Sequence, residues 1–131
     1  HEAEVSARRR LAELEAIYES APVGLCALDR DLRVTRINAR LAAMNGMTVE
    51  EHIGLHAREF LPRPLVPVLL PLLEQVRDTG EPVRGFELHA DEAEQPGTTK
   101  RWLLNYYPMR DERGVVVGVN TVVVEISGQV G

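Results

Sequence analysis

A chain of 131 residues, 44% hydrophobic and 27% charged, is long enough for one domain with its own core, and this balance excludes a disordered or disulfide-stapled chain. A net charge of −5, with Arg8-Arg9-Arg10 as the longest basic run, argues against a nucleic-acid-binding face. The single Cys26 rules out an internal disulfide and a cysteine-rich zinc site and fits a reducing cytoplasm, and no apolar stretch reaches the ~18 residues of a membrane span.

Residues 4–20 have helix composition. Ala7, Leu11, Leu14 and Tyr18 recur at alternating steps of four and three and form one apolar stripe. Such a helix either lies on its own domain or is shared with a partner. Ala21-Pro22 ends it, because a residue before proline disfavours the helical region. Residues 23–28 read as a strand, 29–31 as a turn and 32–38 as the second strand of a hairpin. A short helix follows over 39–46, with Asn45-Gly46 as its stop. Thr48 and Glu51 have the spacing of a capping box, and 55–61 predicts a further helical turn or two. Over 62–82, Leu65, Leu69, Leu72, Leu73 and Val76 keep helical spacing. Pro64 and Pro67 suit a first turn, Pro71 predicts a kink, and Gly80 is the stop.

The rest predicts strands at 83–90, 100–109 and 114–127, with a polar loop over 91–99. Strands at both ends with helices between them indicate an α+β antiparallel sheet. The last strand, rich in valine and without polar alternation, is expected to be covered on both faces. The middle helices cover one face, and the N-terminal helix or a partner covers the other. Two domains of organisation result: residues 1–20 as an amphipathic helix or linker, and 21–128 as the globular domain. The chain begins at His1 rather than Met and is expected to be a piece of a longer protein.

The stretch "APVGLCALDRDLRVTRINARLAAMNGMTVEEHIG", with Asn38 and Gly54, the hairpin "PMRDERGVVVGV", and "EIS" at 125–127 together resemble a PAS domain over about residues 13–127. The resemblance implies a five-stranded antiparallel sheet in the order 2-1-5-4-3, with short helices cupping a pocket on one face. It also implies a sensory role: such modules bind a small ligand or dimerise and control an attached output domain. A histidine kinase is the expected output, with a cyclic-dinucleotide synthase or a phosphatase as the alternatives. Glu125 stands at the family's exit motif and is expected to couple the domain to its output. A homodimer through the N-terminal helix and the sheet is expected, in the cytoplasm, with no membrane segment in this piece.

Light sensors of this superfamily need a cysteine in the helix after the Gly54-like glycine, and Ala57 stands there instead. This argues against thiol-adduct flavin chemistry. Residues 63–79 contain no histidine, which argues against haem as the related haem sensors hold it. The cofactor is otherwise left open. His52 and His56 have a spacing that suits zinc on a helix, but Gly54 between them breaks the helix, so both read as solvated. No nucleophile elbow or phosphate-cradling loop is present, and the domain reads as non-catalytic. The rival is a small α+β enzyme with a cone-shaped pocket, of isomerase or dehydratase type. It would need a perturbed acid or histidine deep in that pocket.

Strand alternation puts Trp102, Leu104 and Tyr106 on one face. The resemblance turns that face to the pocket and places Asn120, within Gly118-Val119-Asn120, at a ligand-facing position. The expected ligand site is therefore Asn120, Trp102, Leu104, Tyr106, Phe60 and Leu69, holding a small, mostly apolar molecule. Asn120 either presents its amide to that ligand or bonds to a neighbour, and Thr121 points the other way.

Overall fold

The computed structural model describes residues 8, 9, 12, 13 and 16, then 23–90 and 100–125. Arg8, Arg9, Ala12, Glu13 and Ala16 are helical and exposed. The stripe residues Ala7, Leu11, Leu14 and Tyr18, and the loop 91–99, lie outside the described residues.

Five strands form one antiparallel sheet, β1 (Gly24–Asp29), β2 (Val34–Ile37), β3 (Val83–Ala90), β4 (Lys100–Arg110) and β5 (Val116–Glu125), in the order β2-β1-β5-β4-β3. Between β2 and β3 run α1 (Ala39–Met44), α2 (Val49–His52), α3 (Ala57–Phe60), a 3₁₀ turn at Arg63–Leu65 and α4 (Val66–Thr79). α1 packs on β1, and α4 on β4 and β5, so the helices cover one face of the sheet. The core between them is built from Leu28, Ile37, Leu41, Leu69, Leu73, Val76, Leu104 and Val119.

Local chemistry explains most element ends. Asp29 Oδ1 accepts from the Asp31 and Arg33 amides, at 2.9 and 3.0 Å, and closes the β1–β2 turn. Leu32, expected in β2, has φ +61° and cannot be extended. Its side chain is buried, and the strand starts only at Val34. The capping box forms in full: the Glu51 amide donates to Thr48 Oγ1 at 3.1 Å, and the Thr48 amide to Glu51 Oε1 at 2.8 Å. Gly54, at φ +85°, ends that segment, and Gly80, at φ +74°, caps α4. Pro71 does not divide α4, which runs through it as one helix. Its ring has no N–H for the Pro67 carbonyl, but Leu69, Leu70, Leu73 and Val76 on the same helix are buried against the sheet.

Asn38 joins the sheet to the helices. Its side chain is fully buried. Oδ1 accepts from the Leu25 amide at 3.0 Å and from the Leu41 amide at 3.1 Å, and Nδ2 donates to the Val23 carbonyl at 2.8 Å. One amide thus caps α1 and holds the entry of β1 beside it.

β5 departs from the expectation of burial on both faces. Val119 and Thr121 are buried, but Val117 and Asn120 are exposed, and Val122 and Val124 are half-buried. Gly118 permits the close approach of β1: a Cβ there would collide with the Leu28 carbonyl oxygen.

Candidate functional site

A cavity of about 280 Å³ lies between the sheet and the helices. Its sheet wall is read directly from the strand register. Residues directly opposite across neighbouring strands share a face. Leu88, Trp102 and Glu125 make one row, Leu104 and Val123 the next, and Tyr106, Thr121 and Cys26 the third. The helical wall comes from Leu41, Met44 and Asn45 on and after α1, Phe60 and Leu61 at α3, and Leu69 and Leu73 on α4. Glu125 is exposed and Trp102 half-buried, so the row containing them forms the rim. Glu125 is the one charged side chain among the described lining residues.

The third row carries the polar atoms of the sheet wall. Thr121 is buried, and its hydroxyl donates to the Cys26 carbonyl at 3.2 Å. Burial pushes the Cys26 thiol up to about 12, with the Thr121 hydroxyl opposing the rise, so at neutral pH this cysteine is an inert thiol. Tyr106 is 3% exposed, and burial, with the nearby Cys26, raises its phenol well above the ordinary range. Its hydroxyl takes no hydrogen bond from any described residue, and Tyr106 lines the cavity. The oxygen is not among the sealed, unpartnered polar atoms of the described residues, so it is open to whatever occupies the cavity.

The helical wall carries a second polar group. His52 is fully buried, not solvated as expected. Its ring packs edge-to-face on Phe60, with centroids 5.5 Å apart, and both ring nitrogens are engaged: Nδ1 with the Thr48 carbonyl at 2.8 Å and Nε2 with Asn45 Nδ2 at 3.0 Å. The capping of α2 brings Thr48 into place, and the Asn45 amide compensates the buried imidazole. His56 instead caps α3, its Nδ1 accepting from the Arg58 amide at 3.0 Å. The two histidines therefore do not share a site, and no cluster of metal ligands occurs among the described residues.

Five of the expected ligand residues, Trp102, Leu104, Tyr106, Phe60 and Leu69, line the cavity together with Glu125. Asn120 does not. It is exposed, and it pairs with Ala27 and Tyr107 rather than with the Tyr106 row. It therefore belongs to the outer face. Thr121 takes the cavity position expected of Asn120, because Tyr106 stands opposite Thr121 in the β4–β5 ladder. The register shifts at Met109/Arg110, and a one-residue change of register exchanges the two faces of a strand. Asn45 and His52 were read as a helix stop and a surface residue. Their separation of seven, two helical turns across a cap, was the only hint that they might meet.

The comparisons agree with this architecture. A PAS fold family model matches residues 18–131. Among solved structures, the VqmA dimer of Vibrio cholerae resembles this chain with a TM-score of 0.71 and 17% identity, covering 88% of this chain and 51% of VqmA. VqmA bound to DPO gives the same score and identity over 57% of that chain, so the present chain spans about half of VqmA. A sensory box sensor histidine kinase from Vibrio cholerae matches at TM-score 0.63 and 15% identity, covering 98% of this chain and all of that one (100%). The PAS domain of the histidine kinase ThkA matches at TM-score 0.57 and 20% identity, over 77% of this chain and 96% of its own length. At such identities the likenesses speak for the fold, and the family match covers most of the sequence; the chain belongs to the PAS fold family.

Proposed function

We propose that this domain senses a small, mostly apolar molecule in the cavity and passes its presence to an attached output domain, a histidine kinase. The observation that carries the reading is Tyr106: a residue only 3% exposed that lines a cavity of about 280 Å³, with a hydroxyl that has no protein partner among the described residues. Apolar walls with a few placed polar groups are what small-molecule sites have in common. Glu125 supports the signalling half of the proposal. It lines the cavity rim and is also the last residue of β5, so a ligand that shifts the rim acts on the strand's exit. The kinase output is supported by likeness to the domains of two histidine kinases, and the small ligand by likeness to VqmA, which binds DPO. VqmA also forms a complex with ligand and DNA, but a net charge of −5 supports leaving nucleic acid out of this domain's partners. A homodimer through residues 1–20 and the outer sheet face is supported by the half-buried Leu103, Val122 and Val124 there. A cytoplasmic setting is supported by the single, buried Cys26; none of the described helices is long and apolar enough to cross a membrane.

Trp102 is the only tryptophan and lies in the cavity wall, so its fluorescence reports occupancy directly. Native mass spectrometry of the purified chain, followed by a fluorescence screen of small neutral compounds, tests the reading. A bound or saturable ligand that is lost when Leu69→Trp fills the cavity supports it. A domain that binds nothing and gains stability from Leu69→Trp refutes it.

A further inference from the structure

We infer that the cavity selects neutral ligands carrying an N–H or O–H donor next to an acceptor, that Asn45 and Tyr106 read those two groups, and that His52 is the positioning residue that orients Asn45. The inference rests on the cavity being a ligand site. The argument begins at the buried imidazole. The Thr48 carbonyl can only accept, so the ring nitrogen 2.8 Å from it, Nδ1, carries the proton. Nε2 is then a bare acceptor, and the Asn45 atom 3.0 Å away must be the NH₂ group. A full hydrogen-bond chain, Asn45 Nδ2–H to His52 Nε2 and His52 Nδ1–H to the Thr48 carbonyl, thereby fixes the amide against a flip. What remains of the Asn45 side chain is its second amide hydrogen and Oδ1, and Oδ1 takes no hydrogen bond from any described residue although Asn45 lines the cavity. The helical wall therefore offers the cavity an oriented acceptor, Oδ1, while one of the two amide hydrogens is committed to His52.

The sheet wall offers the opposite. The Tyr106 side chain is buried, and its hydroxyl is unpartnered among the described residues and able to donate. Charge removes a further class of ligand. No lysine, arginine or histidine is found among the described lining residues, and the one charged group is the Glu125 carboxylate. An anion entering this cavity would lose its hydration and find no cationic side chain in the described lining. Carboxylates and phosphates are thus disfavoured, and a compact neutral amide, lactam or hydroxylated ring is favoured.

Three probes of nearly the same shape separate these terms: cyclohexanecarboxamide, cyclohexyl methyl ketone and cyclohexanecarboxylate. Titrations of the whole chain, followed by Trp102 fluorescence, are expected to show the amide binding about tenfold more tightly than the ketone, as for one good hydrogen bond, with the carboxylate weakest. Asn45→Leu and His52→Phe should each bring the amide-to-ketone ratio close to one, the ratio being taken within each variant so that a general change in affinity cancels. Tyr106→Phe should weaken amide and ketone alike and keep their ratio, because both share the carbonyl. Long-range ¹H–¹⁵N spectra of the wild-type histidines test the positioning role without a variant that must fold, and should show His52 as the Nδ1–H tautomer. Equal binding of amide and ketone, tightest binding of the carboxylate, an Nε2–H tautomer at His52, or a ratio unchanged in Asn45→Leu would each overturn the inference while leaving the cavity as a ligand site. If none of the three probes binds the wild-type chain up to its solubility limit, the ligand-site reading itself falls, and this inference with it.

Discussion

Asn38 and Asn45 flank the same helix and put the same amide to opposite uses. Asn38, the N-cap of α1, is fully buried and spends both polar atoms on the backbone of β1 and α1. Asn45, the C-cap, is half-buried and spends only its NH₂, on His52. A fully satisfied buried amide rigidifies a junction, whereas a half-satisfied one is an offer to a ligand. Tyr106 makes the same kind of offer from the sheet. One end of α1 is therefore committed to folding, and the cavity wall at its other end keeps hydrogen-bonding capacity in reserve.

The largest effect should come from the committed end. Asn38→Ala removes a helix cap and leaves the Leu25 amide and Val23 carbonyl without their partner, so a loss of about 3 kcal/mol is expected in urea melts. A loss below about 1 kcal/mol would mean that water or a shift of β1 replaces the amide, and the contrast with Asn45 would weaken.

Next comes the alkaline limb of stability. The Cys26 thiol stands at about 12 in the folded chain, above its value of roughly 8.5 when unfolded. The unfolded chain therefore gives up its proton first, and stability should decline from about pH 8.5 upward, at up to ~1.4 kcal/mol per unit. Tyr106, also raised by burial, adds to the decline above about pH 10. Below pH 8 neither group contributes. Melts between pH 8 and 10.5 check this, and Cys26→Ala should flatten the first part of the decline. An unchanged slope in that variant would assign the alkaline loss elsewhere.

Tyr106→Phe sharpens the comparison from the cavity side. Removing a hydroxyl that has no described protein partner should leave the empty domain's stability within about 0.5 kcal/mol of wild type, or slightly raise it, while ligand affinity falls by about 1 kcal/mol. A strongly destabilised empty variant would make Tyr106 a structural residue like Asn38.

The smallest effects belong to Asn120 and Glu125. Asn120→Val on the outer face should change stability by no more than about 0.5 kcal/mol and leave probe binding alone. Lost binding would return Asn120 to the cavity. Glu125→Gln should likewise move the melting temperature little, yet alter the regulation of the output domain proposed above. Unaltered regulation would end the coupling role proposed for it.

Much of this was readable in sequence because it is decided within a few residues. The Thr48/Glu51 box, the Gly54 and Gly80 stops and the order of helices and strands follow from side chains meeting their own neighbouring backbone. Strand alternation alone also put Trp102, Leu104 and Tyr106 on one face, which the β4–β5 ladder confirms. Three matters were decided by how segments pack in three dimensions rather than by the local pattern. Leu32 adopts a left-handed backbone inside a predicted strand, with its side chain buried in the core under the helices. His52 is buried although its local sequence reads as solvated, because Thr48, Asn45 and Phe60 converge on its ring. Alternation makes Asn120 and Thr121 face opposite ways but does not say which faces the cavity. That was settled by the pairing of Thr121 with Tyr106 and Cys26, since register joins strands whose sequences carry no record of their offset.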